Sequence, residues 1–147
     1  MFTVNDFSKI DIVRTSPAAT LPTRAHSDDA GLDLYGLEDV TLPPAQGKVA
    51  RTGIAIALPR GFVGLVADRS SMAKRGVKTS GGVIDAGYRG ELHIVLWNIS
   101  AEAVHLKAGE RIAQLLIFPI ATPAVNEVQE FDHVTERGAK GFGSSGK

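Results

Sequence analysis

The chain has 147 residues, 44% of them hydrophobic and 22% charged, the balance of a single globular domain with a core of its own. Lys and Arg together number 16, as do Asp and Glu, so the net charge is zero and a basic nucleic-acid surface is excluded as the main feature. Cysteine is absent, which excludes disulfides and thiolate metal sites, and no apolar run has signal-peptide or transmembrane character; a cytoplasmic protein without membrane contact is expected.

In chain order, the first informative segment is SDDAGLDLYG at 27–36, where Asp28, Asp29 and Asp33 crowd ahead of a strand. Three carboxylates suit a hard cation such as Mg²⁺, but a solvated turn has the same composition. Asp33 differs from the other two because it lies between Leu32 and Leu34. Strand alternation turns it to the opposite face, and an Asp inside a strand calls for a partner.

TGIAIALP at 52–59 alternates Ile54, Ile56 and Leu58 with small residues. GFVGLVAD at 61–68 sets Phe62, Gly64 and Val66 on one face and Val63 and Leu65 on the other. RSSMAKRG at 69–76 is the one short helix expected, capped by Ser70 or Ser71 and ended by Gly76. Arg69 with the two hydroxyls beside a helix start makes an anion site conceivable, with Lys74 and Arg75 adding charge; an ordinary capped surface helix reads the same way.

GGVIDAGYRGEL at 81–92 holds Asp85 in a tight hairpin beside apolar Val83 and Ile84, followed by Tyr88. A carboxylate held there suits a general base, and it equally suits an ordinary β-turn. ELHIVLWNIS at 91–100 is apolar on both faces, the pattern of a strand buried on both sides. RIAQLLIFPI at 111–120 reads similarly, except that Arg111 and Gln114 interrupt it and need partners. ATPAVNEVQEFDHVTE at 121–136 reads as a strand and then an exposed connection. The last eleven residues, RGAKGFGSSGK, hold four glycines and one large apolar side chain, Phe142, too little to build a core.

Gly/Pro turns at 42–48, 58–61, 79–82 and 107–110 separate these runs, which points to an all-β sandwich or barrel. The four histidines show no metal-ligand spacing, and neither a phosphate-binding P-loop nor a dinucleotide-binding glycine motif is present.

Taken together and in this order, five segments resemble the motifs of the trimeric dUTPase family: AGLDLYG, DRSSMAKRG, GVIDAGYRGEL, GERIAQLLIFP and RGAKGFGSSG, spanning residues 24–146. The resemblance implies an all-β, distorted jelly-roll or β-clip-type sandwich with one short helix, assembled as a homotrimer. It implies one domain over 1–136 and a Gly-rich arm over 137–147 that closes over the site. The implied reaction is hydrolysis of dUTP to dUMP and pyrophosphate, which keeps uracil out of DNA and supplies dUMP for dTMP synthesis. Mg²⁺ would ride on the triphosphate and meet the protein through waters rather than direct ligands.

By the same resemblance Asp85 matches the base that activates water for attack on the α-phosphorus. Tyr88 matches the residue that leaves no room for a 2′-hydroxyl. Backbone from Gly82 through Val83 and Ile84 would read uracil, with His93 near the base through its main chain. Arg69, Ser70, Ser71 and Gln114 match phosphate contacts, and Asp33 matches a supporting residue. Arg137 matches the arm's arginine, Phe142 the ring over uracil, and Gly143, Ser144 and Ser145 the γ-phosphate end. Asp68 stands where the family often has Pro and is expected to point away from the phosphates. Ser71 stands where Gly is usual, and Gly87 where a polar residue is common.

Two other readings stand beside this one. The dCTP deaminases share the fold and the segments RSSMAKRG and IDAGYRG, but place a catalytic Glu at the position held here by Val95 and lack such a tail. A non-catalytic trimeric nucleotide-binding module would use Asp85 only as a turn residue.

Overall fold

A computed structural model of the chain describes residues 8–133, 135, 138 and 139. The strands are β1 (Asp11–Arg14), β2 (Leu32–Tyr35), β3 (Val40–Leu42), β4 (Gly47–Ala57), β5 (Phe62–Ala67), β6 (Val77–Ser80), β7 (Val83–Asp85), β8 (Glu91–Asn98), β9 (Val104–Leu106) and β10 (Arg111–Pro119); the helix α1 is Ser70–Lys74. They form two four-stranded sheets, ordered β1-β4-β8-β6 and β2-β10-β5-β7, and a β3-β9 ribbon. Every pairing is antiparallel, and neighbours are mostly distant in sequence, so the chain passes repeatedly from one sheet to the other in jelly-roll fashion. The all-β expectation with a single short helix is borne out.

The alternation of side chains decides which face enters the core. Phe62, Gly64 and Val66 of β5 turn inward as expected. Leu34, Ile54, Leu92, Ile94, Ile112 and Leu115 are all but inaccessible and fill the space between the layers. At the end of β8 the buried Asn98 satisfies all its polar groups: Nδ2 donates to the carbonyls of Leu42 (2.9 Å) and Glu102 (2.7 Å), and Oδ1 accepts from Ser100.

Four expectations are corrected. β8 is buried on one face only: Leu92, Ile94 and Leu96 point inward, whereas His93 and Trp97 lie exposed on the outer face, which no second layer covers among the described residues. Neither serine caps α1; Arg69 is its N-cap residue through its own carbonyl, which accepts from the amides of Met72 and Ala73. β7 and β8 are not a hairpin, since β7 pairs with β5 and β8 pairs with β4 and β6, in different sheets. Finally, no strand follows Pro119 among the described residues, and residues 121–133 are exposed and irregular. Val125 and Phe131 are 99% and 88% exposed, so neither is packed against the described residues.

The longest strand, β4, carries the main irregularity. From Arg51 to Ala55 it advances four residues while β8 advances two, from His93 to Glu91. Gly53 takes φ +69° in this bulge, where a Cβ would lie 2.9 Å from that of Ala19. The Glu91 carboxylate fills the gap: Oε1 accepts from Gly53 N (3.0 Å) and Arg51 Nε (3.2 Å), and Oε2 from Arg51 Nη2 (3.0 Å) and Thr15 Oγ1 (3.1 Å).

The Arg51 guanidinium, backed by the Gly53 amide and Thr15 hydroxyl, outweighs the cost of burial and holds the Glu91 carboxyl down at about 2, against an ordinary 4.5. A carboxylate lowered on folding stabilises fully above its unfolded value and loses that contribution as pH falls through its folded one. The contribution of Glu91 is therefore complete above pH 4.5 and disappears between 4.5 and about 2. Urea unfolding of the parent and of Glu91→Gln is expected to differ by on the order of 1–2 kcal/mol at pH 7, to draw together as pH falls below 4.5 and to converge only at about pH 2. An equal gap at both ends of that range would show that the carboxylate's charge contributes nothing.

Candidate active site

The side chains singled out by sequence fall into two groups in the folded chain. The first surrounds an open cleft of about 450 Å³ lined by Asp33, Arg69, Ser70, Ser71, Arg111 and Gln114, among others. Its framework is the meeting of β2, β10 and the start of α1. Asp33 faces away from Leu32 and Leu34, as alternation requires, and lies opposite Gln114 in the β2–β10 register. Its Oδ1 accepts from Arg69 Nε (2.7 Å) and its Oδ2 from Arg111 Nη1 (3.3 Å). Arg69 Nη1 donates to Ser71 Oγ and to the Arg111 carbonyl, both at 3.2 Å, leaving Nη2 without a hydrogen bond among the described residues.

Two guanidinium groups thus share one carboxylate beside two hydroxyls, and Asp29, the other acid lining the cleft, is engaged by the His26 amide. Held by three hydrogen bonds, Arg69 has lost its rotamer freedom before any anion arrives, so binding does not have to order it.

Gln114 projects into the same cleft. Its Nε2 donates to the Asp68 carbonyl (2.7 Å), and its side chain lies directly over Gly31, where a Cβ would sit 2.9 Å from Cδ. Asp68 points away, as expected. Burial pushes its carboxyl up, but the Lys78 ammonium (2.6 Å) and the Thr79 amide and hydroxyl outweigh this and hold it below the usual range. Arg75 is also withdrawn: it pairs with Glu110 and donates to the His105 carbonyl, so it fastens α1 to the β9–β10 turn and adds no charge to the cleft. Arg111 was legible only as a polar interruption of an apolar strand; its place beside Asp33 depends on the β2–β10 pairing.

The three acids of the 28–33 segment do not converge. Asp29 Oδ2 accepts from the His26 amide (2.9 Å) and closes a turn, while both oxygens of Asp33 are held by arginines. Among the described residues no group of three or more His, Asp or Glu side chains is arranged to hold a metal ion. A cation bound by a protein cage does not fit this donor set, whereas one carried on phosphate oxygens needs no such cage.

The second group lies along β7 and the loop to β8 and does not line the cleft. At Gly82, φ +92°, the chain leaves β6 and turns against β5; a Cβ there would come 2.9 Å from that of Val66, whose amide donates to the Gly82 carbonyl (2.8 Å). Val83 and Asp85 share the exposed face of β7, and Ile84 is buried. The Asp85 carbonyl accepts from the Tyr88 amide (3.0 Å), closing the turn. The Asp85 carboxylate makes no hydrogen bond or ion pair among the described residues, unlike those of Asp33, Asp68 and Glu91. β6 pairs with β8 only as far as Ser80 opposite Val95, so the stretch of β8 that includes His93 extends past the end of β6. Arg137, Phe142, Gly143, Ser144 and Ser145 lie outside the described residues.

The chain is an antiparallel β-sandwich with an arginine–hydroxyl cleft whose donors suit an anion, and with a separate strand end carrying a carboxylate unpaired among the described residues. The comparisons give the family. A model of the dUTPase family matches residues 18–146. The deoxyuridine 5′-triphosphate nucleotidohydrolase of Mycobacterium marinum is 47% identical, covering 95% of this chain and 96% of that protein. The Mycobacterium leprae enzyme of the same name is 44% identical over the same shares.

Among solved structures, the Staphylococcus bacteriophage 80alpha dUTPase with dUpNHpp is 35% identical, with a TM-score of 0.90 over 95% of this chain and 99% of that one. A mutant dUTPase of phage phi11, whose structure describes the coordination of a structural Mg(II) ion, is 29% identical, with a TM-score of 0.81 over 86% of this chain and 100% of that one. The chain belongs to the dUTPase family.

A methyl group at position 31 would drive the Gln114 side chain out of the cleft. Gly31→Ala is expected to fold and to bind inorganic tripolyphosphate about tenfold more weakly, the equivalent of one or two lost hydrogen bonds. Isothermal titration calorimetry measures this, and unchanged affinity would remove Gln114 from the phosphate contacts.

Proposed function

We propose that this chain, a dUTP diphosphatase, cleaves dUTP to dUMP and pyrophosphate with Asp85 as the general base. The observation that carries the assignment is the state of the carboxylates. Asp33, Asp68 and Glu91 are already committed to cations and N–H groups, whereas Asp85 sits exposed at the end of β7 with its lone pairs available for a proton. A water held by Asp85 loses its proton to that carboxylate as its oxygen bonds to the α-phosphorus. The α–β bridging P–O bond breaks, and its electron pair leaves on pyrophosphate.

The cleft takes the triphosphate. Arg69, oriented by Asp33, offers charge-assisted donors, and Ser70, Ser71 and Gln114 supply neutral ones. Gly82, Val83 and Ile84 present backbone groups to uracil, Tyr88 lies against the deoxyribose, and His93 adds a main-chain contact on the neighbouring strand. Mg²⁺ bound to the phosphate oxygens supplies further neutralisation of charge.

Within one chain the phosphate cleft and the Asp85 segment stand apart, which supports a homotrimer whose sites are completed between neighbours. The bare outer face of β8 and the lone Phe131 supply apolar surface for that assembly. Residues 1–136 form the domain, and 137–147 the arm that closes on bound nucleotide. In the arm Arg137, Ser144 and Ser145 meet phosphates, Gly143 permits close approach, and Phe142 covers uracil. The enzyme works in the cytoplasm, removing dUTP before it enters DNA and supplying dUMP for dTMP synthesis. The deaminase reading loses ground because Glu91, the nearest carboxylate on β8, is fully occupied by Arg51, Gly53 and Thr15.

Asp85→Asn is expected to bind dUpNHpp with parent affinity while kcat falls by about 10³-fold or more; retention of turnover would remove Asp85 from the base role. Deleting 137–147 is expected to leave the sedimentation coefficient of a trimer and to reduce kcat/KM for dUTP by about 10²-fold or more. Full activity of the truncated protein would show that no closing arm is needed.

A further inference from the structure

The loop between β7 and β8 is closed upon itself. Arg89 Nη1 donates to the carbonyls of Ala86 (2.6 Å) and Tyr88 (2.8 Å), and the Tyr88 amide donates to the Asp85 carbonyl. The Tyr88 ring is 44% exposed, so packing alone does not set its direction. Its hydroxyl does, by donating to the Glu91 carbonyl (2.9 Å) across Gly90. Gly90 is required for this approach, because a Cβ there would lie 2.6 Å from the Tyr88 Cζ.

The Glu91 backbone is in turn held from the far side. Its carboxylate receives Arg51 and Gly53 of β4 and Thr15 beyond β1, and it lies 3.7 Å from the His93 ring. A continuous set of hydrogen bonds therefore runs from the β4 bulge through Glu91 to the Tyr88 hydroxyl.

We propose that Glu91, tied to Arg51, is a positioning residue that sets the angle of the Tyr88 ring and thereby the enzyme's selectivity for a deoxyribonucleotide over a ribonucleotide. This rests on the reading above that Tyr88 lies against the sugar. A ring that stands slightly away from the sugar still covers it but leaves space for a 2′-hydroxyl. Loosening the anchor therefore costs discrimination before it costs binding of the correct substrate.

The test compares kcat/KM for dUTP and for UTP in the parent, Glu91→Ala, Arg51→Ala, Tyr88→Phe and the Glu91→Ala/Tyr88→Phe double variant. Arg51 is 47% exposed, so its truncation keeps the experiment available should Glu91→Ala fail to fold. Each single variant is expected to lower the dUTP-to-UTP ratio about tenfold, mainly through a lower KM for UTP, and the double variant no further than Tyr88→Phe alone. A folded Arg51→Ala with the parent ratio overturns the proposal, as does additive loss in the double variant. A parent that hydrolyses UTP as well as dUTP overturns the reading of Tyr88 itself, independently of Glu91.

Discussion

The structure turns on carboxylates that have been given partners before any substrate arrives. Asp33 and Glu91 are the main examples. Each is set in or at the end of a strand, each takes an arginine from another strand or from the helix start, and each is satisfied at both oxygens. An ion pair shielded from solvent on several sides stabilises only when its remaining hydrogen-bonding capacity is filled. Here the filling groups come from distant parts of the chain, so each pair also fixes where those parts lie relative to one another.

The two hubs do different work for the site. Asp33 divides its charge between Arg69 and Arg111 and so fixes the direction of a donor set without neutralising it. Glu91 neutralises Arg51 and fastens the start of β8, the point at which the chain comes out of the loop that carries Tyr88. One hub thus prepares a surface for anions, and the other holds a loop against which a ligand can be measured. Asp85, between them in sequence, is left free of both. A base must be available to a proton, and a carboxylate used for architecture is not.

The helix and the loops follow the same logic. α1 is only five residues long and has no side-chain cap, so little of its stability is its own. Arg75 at its C-terminal end, held by Glu110 and the His105 carbonyl, and Arg69 at its start, held by Asp33, tie it to the sheets at both ends. What local propensity lacks is supplied by charge-assisted bonds to strands.

Sequence alone determined the class of fold, the inward faces of β2, β4 and β5, the position of the helix, and the five motifs that mark the family. These are local in origin: period-two alternation, Gly/Pro punctuation and short contiguous patterns are all written along the chain. It also indicated that Asp33 needed a partner and that Asp68 would turn away from the cleft. It did not indicate which groups would answer, because Arg69 and Arg111 lie 36 and 78 residues from Asp33, and only strand pairing brings them together. The one-sided burial of β8, the split of β7 and β8 between two sheets, and the role of Glu91 were likewise decided by tertiary structure. An apolar strand reads the same whether one face or two are covered, and a turn between two strands reads as a hairpin whether or not they share a sheet. Which layer each strand joins depends on the packing of the whole chain.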